Sequence, residues 1–277
     1  MQRPEIDRQL EALLVFPSIP GFGEHPLVPS ASTNYSLIGT AFDYLLRFGL
    51  QRRVSFAMSR EWVAEEGLRS LVARGYGHPA RRLSQKTIDA ATKAISEAKA
   101  ACSEYCEHGE ITNALLQSAL RLAQIDALVR SGIKVKWFGV VDLKDMRELR
   151  RLMDLVPWQE FTPRKRCLLN PTFGRASTLV GGADADLLLD DTLIEIKTTK
   201  SGAFSKTYVK QLVGYYVLFL IGGIDGAEAE DDIAKIGVYA ARYGRLVRIP
   251  VRSVVPPMAL RSLTKLFQQG YPGEHHG

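Results

Sequence analysis

The chain has 277 residues, of which 46% are hydrophobic and 24% charged, a balance typical of a folded protein with a large core. Lys and Arg number 36 against 30 Asp and Glu, so the net charge of +6 mildly favours polyanionic partners. No apolar run reaches the ~18 residues of a membrane span, and the first residues lack the pattern of a secretory signal. These features exclude disordered, fibrous and membrane-spanning classes, and we expect a cytoplasmic protein.

The three cysteines, Cys102, Cys106 and Cys167, are too few and of the wrong parity for a disulfide framework. Cys102 and Cys106 are four residues apart and share a helix face, where we interpret them as small apolar side chains. The fourth thiolate that an iron–sulfur cluster would need is missing.

The first half of the chain is predicted to be helical. After a short opening helix and a Pro/Gly/Ser-rich loop, helical spacing of apolar residues and Gly or Pro stops predict helices over 36–53, 59–75, 84–109, 111–132 and 141–156. We therefore predict a helical region over 1–156, one helix of which, at about 35–50, contributes to the core of the second region.

The pattern changes after Pro157 to short β-branched or Leu-rich runs between turns, which indicate strands. Strands are expected within 167–174, 177–190, 191–199, 233–244 and 245–251. Helices are expected over 204–222 and 256–270. The predicted fold class is α/β, with a mixed sheet flanked by helices over 157–277.

Four charged residues fall on one face of a predicted hairpin in this second region. If residues 190–191 form a two-residue loop, Asp186 lies opposite Glu195, and Asp184 lies opposite Lys197. Opposed carboxylates repel unless a cation lies between them, and hard divalent cations prefer carboxylate oxygens. The hairpin therefore predicts a metal site beside a lysine, a combination suited to phosphodiester hydrolysis. A surface set of salt bridges is the alternative.

At these residues the sequence resembles the PD-(D/E)XK nuclease superfamily and its RecB-like branch. The family motif places an Asp on one strand and Glu-X-Lys on the next, matched here by Asp186 or Asp184 and by Glu195-Ile196-Lys197. The resemblance implies a restriction-endonuclease-like fold, Mg²⁺ or Mn²⁺ as cofactor, and hydrolysis of DNA in preference to RNA.

Two further motifs extend the resemblance. Gln211 and Tyr215 match the Gln-X-X-X-Tyr motif on the helix after the lysine strand, and residues four apart share a helix face. Gly39-Thr40-X-X-Asp43 matches a family helix in which the last residue is usually His. The change from His to Asp alters the charge expected at the metal.

The resemblance implies a role for each of these side chains. The expected metal ligands are Asp186, Glu195, Asp184 and Asp43. The expected catalytic set is Lys197, Glu195, Asp186, Gln211 and Tyr215. The lysines expected to bind the nucleic-acid backbone are Lys200, Lys206 and Lys210. Hairpin register favours Asp186 as the primary metal ligand, whereas the Gly-X-X-Asp spacing counted from Gly181 favours Asp184.

We therefore expect a metal-dependent deoxyribonuclease with DNA as its partner and no membrane association. The alternative is a non-catalytic nucleic-acid-binding or scaffold protein that retains the nuclease fold. A metal-dependent phosphohydrolase of small nucleotides is a further alternative among enzymes.

Overall fold

The structure is a computed structural model, and it describes residues 4–74, 83–131, 138–227 and 232–270. The chain divides into two compact units. The sheet unit comprises residues 1–26, 56–59 and 157–277, and the helical unit comprises residues 27–55 and 60–156. The predicted boundary at residue 157 coincides with the point at which the chain passes from the helical unit to the sheet unit for the last time. The first 26 residues and a short segment at 56–59, however, belong with the sheet.

The helical unit contains five helices in its described residues. They are α2 (Tyr35–Arg53), α3 (Val63–Arg74), α4 (Gln85–His108), α5 (Asn113–Ser131) and α6 (Leu143–Asp154). Helix α5 contacts each of the other four. Helix α4 begins after Ser84, whose side chain accepts a hydrogen bond from the Thr87 N–H, and ends at Gly109, which has a φ of 80°. Both ends follow the usual capping preferences, which is why its bounds match the predicted ones closely.

The sheet unit contains one mixed six-stranded sheet. Its strands are β1 (Ala57–Ser59), β2 (Cys167–Leu169), β3 (Leu187–Leu189), β4 (Thr192–Lys197), β5 (Lys235–Ala240) and β6 (Arg245–Pro250), in that spatial order. The β1–β2 and β4–β5 pairs are parallel and the other pairs antiparallel. The predicted α/β class, with a mixed sheet and flanking helices, is therefore confirmed.

Three helices complete the described part of the sheet unit: α1 (Pro4–Leu13), α7 (Lys206–Gly222) and α8 (Leu260–Gly270). Helix α7 packs on β4, β5 and α8, and α1 packs on α7 and α8. The apolar core of the unit lies between the sheet and these helices, and α7 contributes Leu212 and Val213 to it. Among the described residues, no helix combines the length and apolar character needed to cross a membrane.

The register of the β3–β4 hairpin is confirmed. Leu187 pairs with Ile194 and Leu189 with Thr192, so the loop has two residues, as predicted. The β3–β4 ladder ends at the Leu187–Ile194 pair, and Asp184 forms an isolated bridge with Thr172 in the same register as the β2–β3 pairs. The predicted opposition of Asp186 with Glu195 and of Asp184 with Lys197 lies beyond the paired residues of the hairpin and stays a prediction.

The hairpin loop is fixed by Asp190, which has a φ of 51°. Its carboxylate accepts backbone N–H bonds from Arg164, Lys165 and Arg166 at 2.8–3.1 Å. Partial burial raises the pKa of Asp190, but the three N–H donors lower it more, so its pKa lies below the usual value. A charged side chain thus holds the loop that sets the hairpin register.

Two strand predictions need correction. The first part of the predicted strand 177–190 is a 3₁₀ helix, Gly174–Val180. The Ser177 hydroxyl accepts from the Phe173 N–H at 3.0 Å and donates to the Ala183 carbonyl at 3.0 Å, so it closes this turn against its own chain. Strand β1 was not predicted, because three partly exposed residues carry no alternating pattern.

Candidate active site

Asp186 marks the point at which β3 separates from β4. Its carboxylate Oδ2 accepts a hydrogen bond from the Ile196 N–H at 2.6 Å, just beyond the last paired residues. The side chain therefore satisfies a backbone donor that strand pairing no longer satisfies. The Asp186 carbonyl accepts from the Asn170 N–H at 2.9 Å, so this residue is tied to both neighbouring strands.

A closed hydrogen-bond network joins Glu195, Lys197 and Gln211. The Lys197 Nζ lies 2.6 Å from the Glu195 Oε1 and 3.0 Å from the Gln211 Oε1. The Gln211 Nε2 donates to the same Glu195 oxygen at 2.9 Å. Glu195 is only 6% exposed, so its charge needs this compensation. Each of the three side chains is thus oriented by the other two.

Tyr215 extends the network by one residue. The Gln211 Nε2 also donates to the Tyr215 hydroxyl at 2.9 Å, and the Tyr215 ring stacks on Phe173 at 5.5 Å between centroids. Burial raises the pKa of Tyr215, and the negative charges of Glu195, Asp186 and Asp184 raise it further, whereas the Gln211 bond opposes them. All three carboxylates therefore disfavour ionisation of the Tyr215 hydroxyl. The structure joins Glu195, Lys197, Gln211 and Tyr215 in one network, and the charges of Asp186 and Asp184 act on its Tyr215 end.

The donor set can be tested against a divalent cation. Within the described residues, no group of three or more His, Cys, Asp or Glu side chains is arranged to hold a metal ion. Mg²⁺ is usually bound through one or two carboxylates, with water completing its octahedral shell. Asp186 and Glu195 fit this smaller set, and Asp184 adds negative charge nearby. The chemistry of the donors therefore suits Mg²⁺ better than a cation that needs many protein ligands.

The chain that follows Lys197 is held by side chains at the end of β5. The Arg242 Nε donates to the Thr198 carbonyl at 2.9 Å, and the Tyr243 hydroxyl donates to the Lys200 carbonyl at 2.6 Å. Arg242 is fully buried, which is unusual for arginine. These contacts fix the direction in which the chain leaves the site.

The N-terminal loop also fixes this segment. The Phe22 N–H donates to the Gly202 carbonyl at 2.6 Å. A Cβ atom added at Gly202 would lie 1.8 Å from the Gly23 carbonyl oxygen, so only glycine permits this approach. A segment distant in sequence therefore packs directly on the loop after β4, the strand that carries Lys197.

Tyr208 is a site residue that the sequence motifs did not identify. The Lys197 Nζ lies over its ring, 5.6 Å from the centroid. Tyr208 precedes Gln211 by three positions on α7, and this spacing places both side chains on one helix face. That periodicity is the signal that could have predicted it.

Two of the three lysines expected to bind nucleic acid are paired with one carboxylate. Glu11 on α1 lies 3.3 Å from the Lys206 Nζ and 3.9 Å from the Lys210 Nζ. Lys206 also lies over the ring of Phe16, at 5.0 Å. Lys200 is exposed. Binding of nucleic acid by these lysines stays a prediction.

Asp43 lies on α2 in the helical unit. Its carboxylate binds the guanidinium of Arg47, one turn later, and the Arg47 Nε donates to the Asp43 carbonyl at 3.4 Å. Both side chains are largely buried. The structure thus gives Asp43 a partner within its own helix, and its predicted role as a supporting metal ligand stays a prediction.

Comparison with known proteins gives no further assignment. The chain matches no family model, no curated protein and no solved structure. The interpretation of this site rests on its own residues and geometry.

Proposed function

We propose that the chain is a Mg²⁺- or Mn²⁺-dependent nuclease that hydrolyses phosphodiester bonds of DNA, with a restriction-endonuclease-like fold in its sheet unit. The observation that carries the proposal is the network of Lys197, Glu195 and Gln211 beside Asp186. Lys197 is held against the buried Glu195 carboxylate, and the Asp186 carboxylate binds the same strand. A simple surface ion pair has neither the burial nor the second carboxylate.

Asp186 and Glu195 would hold the cation. When bound, it would polarise the scissile phosphate and lower the pKa of a coordinated water. Lys197 would donate a hydrogen bond to a non-bridging phosphate oxygen and stabilise the negative charge that develops there. Gln211 keeps the ammonium in place, and Tyr215 keeps the Gln211 amide in its orientation.

The substrate class follows from charge and access. Lys197 keeps 24% of its side chain exposed, so the lysine is not sealed inside the core. The basic residues of the sheet unit, with a chain net charge of +6, favour a polymer with many phosphates over a single nucleotide. DNA is proposed ahead of RNA on the resemblance described above.

The decisive experiment incubates the purified protein with linear, circular and single-stranded DNA in Mg²⁺, Mn²⁺ or EDTA. We expect cleavage only with a divalent ion, and circular substrates separate endonuclease from exonuclease action. Lys197→Ala should lower the rate by about 100-fold or more, because it removes a charged donor from the transition state.

Lys235→Ala is the matched control. This lysine is on the neighbouring strand and forms an ion pair with Asp191 away from the network. Equal loss in both variants, or cleavage by Lys197→Ala at the wild-type rate, would overturn the proposal. DNA binding without cleavage would favour the scaffold alternative. Cleavage of mononucleotides alone would favour the small-nucleotide phosphohydrolase.

A further inference from the structure

We propose that Tyr208, supported by Phe22 of the N-terminal loop, is a positioning residue for Lys197. The inference rests on the proposed function for its kinetic consequence, but not for its structural content. A cation within about 6 Å of an aromatic centroid is attracted by the negative face of the ring. Tyr208 therefore gives the ammonium a third support besides the two oxygens that it donates to.

The geometry explains why a third support is needed. Glu195 and Gln211 both accept a hydrogen bond from Lys197, and a bound cation would compete for the Glu195 carboxylate. The Tyr208 ring attracts the ammonium without supplying an oxygen that a metal could take. Lys197 can thus keep its place when its contact with Glu195 is weakened.

Phe22 fixes the Tyr208 ring in turn. The Phe22 ring centroid lies 5.4 Å from that of Phe204 and 6.5 Å from that of Tyr208, and Phe204 meets Tyr208 edge-on at 6.0 Å. Phe22 is buried, and its N–H is bound to the Gly202 carbonyl. The aromatic cluster is therefore anchored through its backbone as well as through its rings.

The N-terminal loop acquires a role from this arrangement. Residues 20–24 belong to the sheet unit, although the motif residues within that unit begin at Asp184. Through Phe22 and Tyr208, the loop reaches the ammonium of Lys197. The resemblance to known nucleases assigned no role to this segment.

Two readouts test the inference on the full-length protein. The first is kcat and KM for DNA in Mg²⁺. The second is the NMR resonance of Lys197 in protein labelled at lysine Cε, identified by its loss in Lys197→Arg. A Lys197 side chain held over the ring has an upfield-shifted signal, which does not depend on catalysis.

We expect Tyr208→Leu to remove the ring-current shift and to lower kcat about tenfold with KM changed less than about twofold. Tyr208→Phe should keep both, because it retains the ring face. Phe22→Leu should reduce the shift by loosening the Tyr208 ring. Tyr216→Leu is the matched control, since Tyr216 is a half-buried tyrosine on the same helix and packs against Phe219.

The inference is overturned if wild-type Lys197 shows no upfield shift, or if Tyr208→Leu and Tyr216→Leu have equal kcat. A wild-type protein that cleaves no phosphodiester would overturn the proposed function instead. The resonance would then still decide whether Tyr208 holds Lys197.

Discussion

The carboxylate of Asp186 accepts the hydrogen bond from the Ile196 N–H that a backbone carbonyl of a neighbouring strand would otherwise accept. The Asp186 Oδ2 lies 2.6 Å from the Ile196 nitrogen, in the middle of the Glu195-Ile196-Lys197 motif. The backbone between the acid and the lysine is thereby held by the second acid. Since both neighbours of Ile196 belong to the closed network, a shift of Asp186 would be transmitted to each of them.

This contact leads to a prediction about the two aspartates. Asp186→Asn keeps an oxygen for the Ile196 N–H but removes the charge, so we expect Mn²⁺ affinity to fall more than tenfold while the fold is kept. Asp184→Asn should reduce affinity less, because it is the Asp186 carboxylate that is held at the Glu195-Ile196-Lys197 segment by the Ile196 N–H. Calorimetric titration with Mn²⁺ and cleavage rates measure both effects. The reverse order of affinities would identify Asp184 as the primary ligand.

Asp43 allows two outcomes to be separated. If it supports the metal, Asp43→Ala should weaken Mn²⁺ binding. Because its carboxylate binds the buried Arg47, the same change should also lower the free energy of unfolding, by about 3–5 kcal/mol. Titration and denaturant unfolding are to be measured on the same samples. A loss of stability with an unchanged Mn²⁺ isotherm would show that the Gly39-Thr40 match has no part in metal binding.

Asp126 on α5 gives a prediction about pH. It is 4% exposed and accepts a hydrogen bond from the Tyr44 hydroxyl at 3.0 Å. Burial is the largest influence and raises the pKa of Asp126 to about 6, although Tyr44 and the positive charges of Arg130 and Arg47 oppose it. The folded protein therefore binds a proton at Asp126 more tightly than the unfolded chain does. Its contribution to stability is complete below the unfolded pKa of 3.8 and is lost as the pH rises through 6.

We therefore expect Asp126→Asn to be more stable than wild type at pH 8 by about 2–3 kcal/mol, because Asn accepts the Tyr44 bond without a buried charge. The difference should shrink as the pH falls toward 4. Urea unfolding from pH 4 to pH 8 measures it. A difference that does not change with pH would mean that Asp126 is ionised at no cost in the folded protein.

The pairing of Glu11 with two lysines predicts a masked DNA-binding surface. Glu11→Gln should raise the affinity for duplex DNA and steepen its dependence on salt, since the exposed Lys206 would lose a competing carboxylate. Each additional phosphate that a lysine neutralises should change the slope of log K against log salt by about 0.9. Fluorescence anisotropy in EDTA measures binding without cleavage.

Glu160→Gln is the control for this experiment, because Glu160 pairs in the same way with Arg248 on the edge strand β6. If both variants show the same rise in affinity, the effect is one of net charge. If Glu11→Gln binds DNA no more tightly than wild type, the lysines beside α1 do not contact DNA.

The contacts of Lys197 with Glu195 and Gln211 could be expected from the sequence motifs, whereas parts of the surrounding fold could not. The two-residue loop fixes the hairpin register, whereas the Leu run does not, because Leu187, Leu188 and Leu189 are buried on both faces of the strand. The end of the β3–β4 ladder at Leu187 could not be predicted, since the Asp186 side chain binds the Ile196 N–H where the next pair would form. The helices were predicted well because their caps are local.

The features that could not be predicted from the sequence depend on long-range contacts. The positions of β1 and of the Phe22 loop in the sheet unit depend on contacts with segments more than a hundred residues later, which no local pattern encodes. Tyr208 lies within a predicted helix, but its relation to Lys197 needs the sheet and the helix together.

The division of the sheet unit among three segments bears on the order of folding during synthesis. Met58 pairs with Leu168, about 110 residues further along the chain, so β1 emerges from the ribosome long before its partner exists. The helices of the helical unit contact one another within residues 27–156, so they can fold while the sheet is incomplete. The later strands and α7 then close the sheet around β1, so the candidate active site is completed only after α7 and β5 have been synthesised.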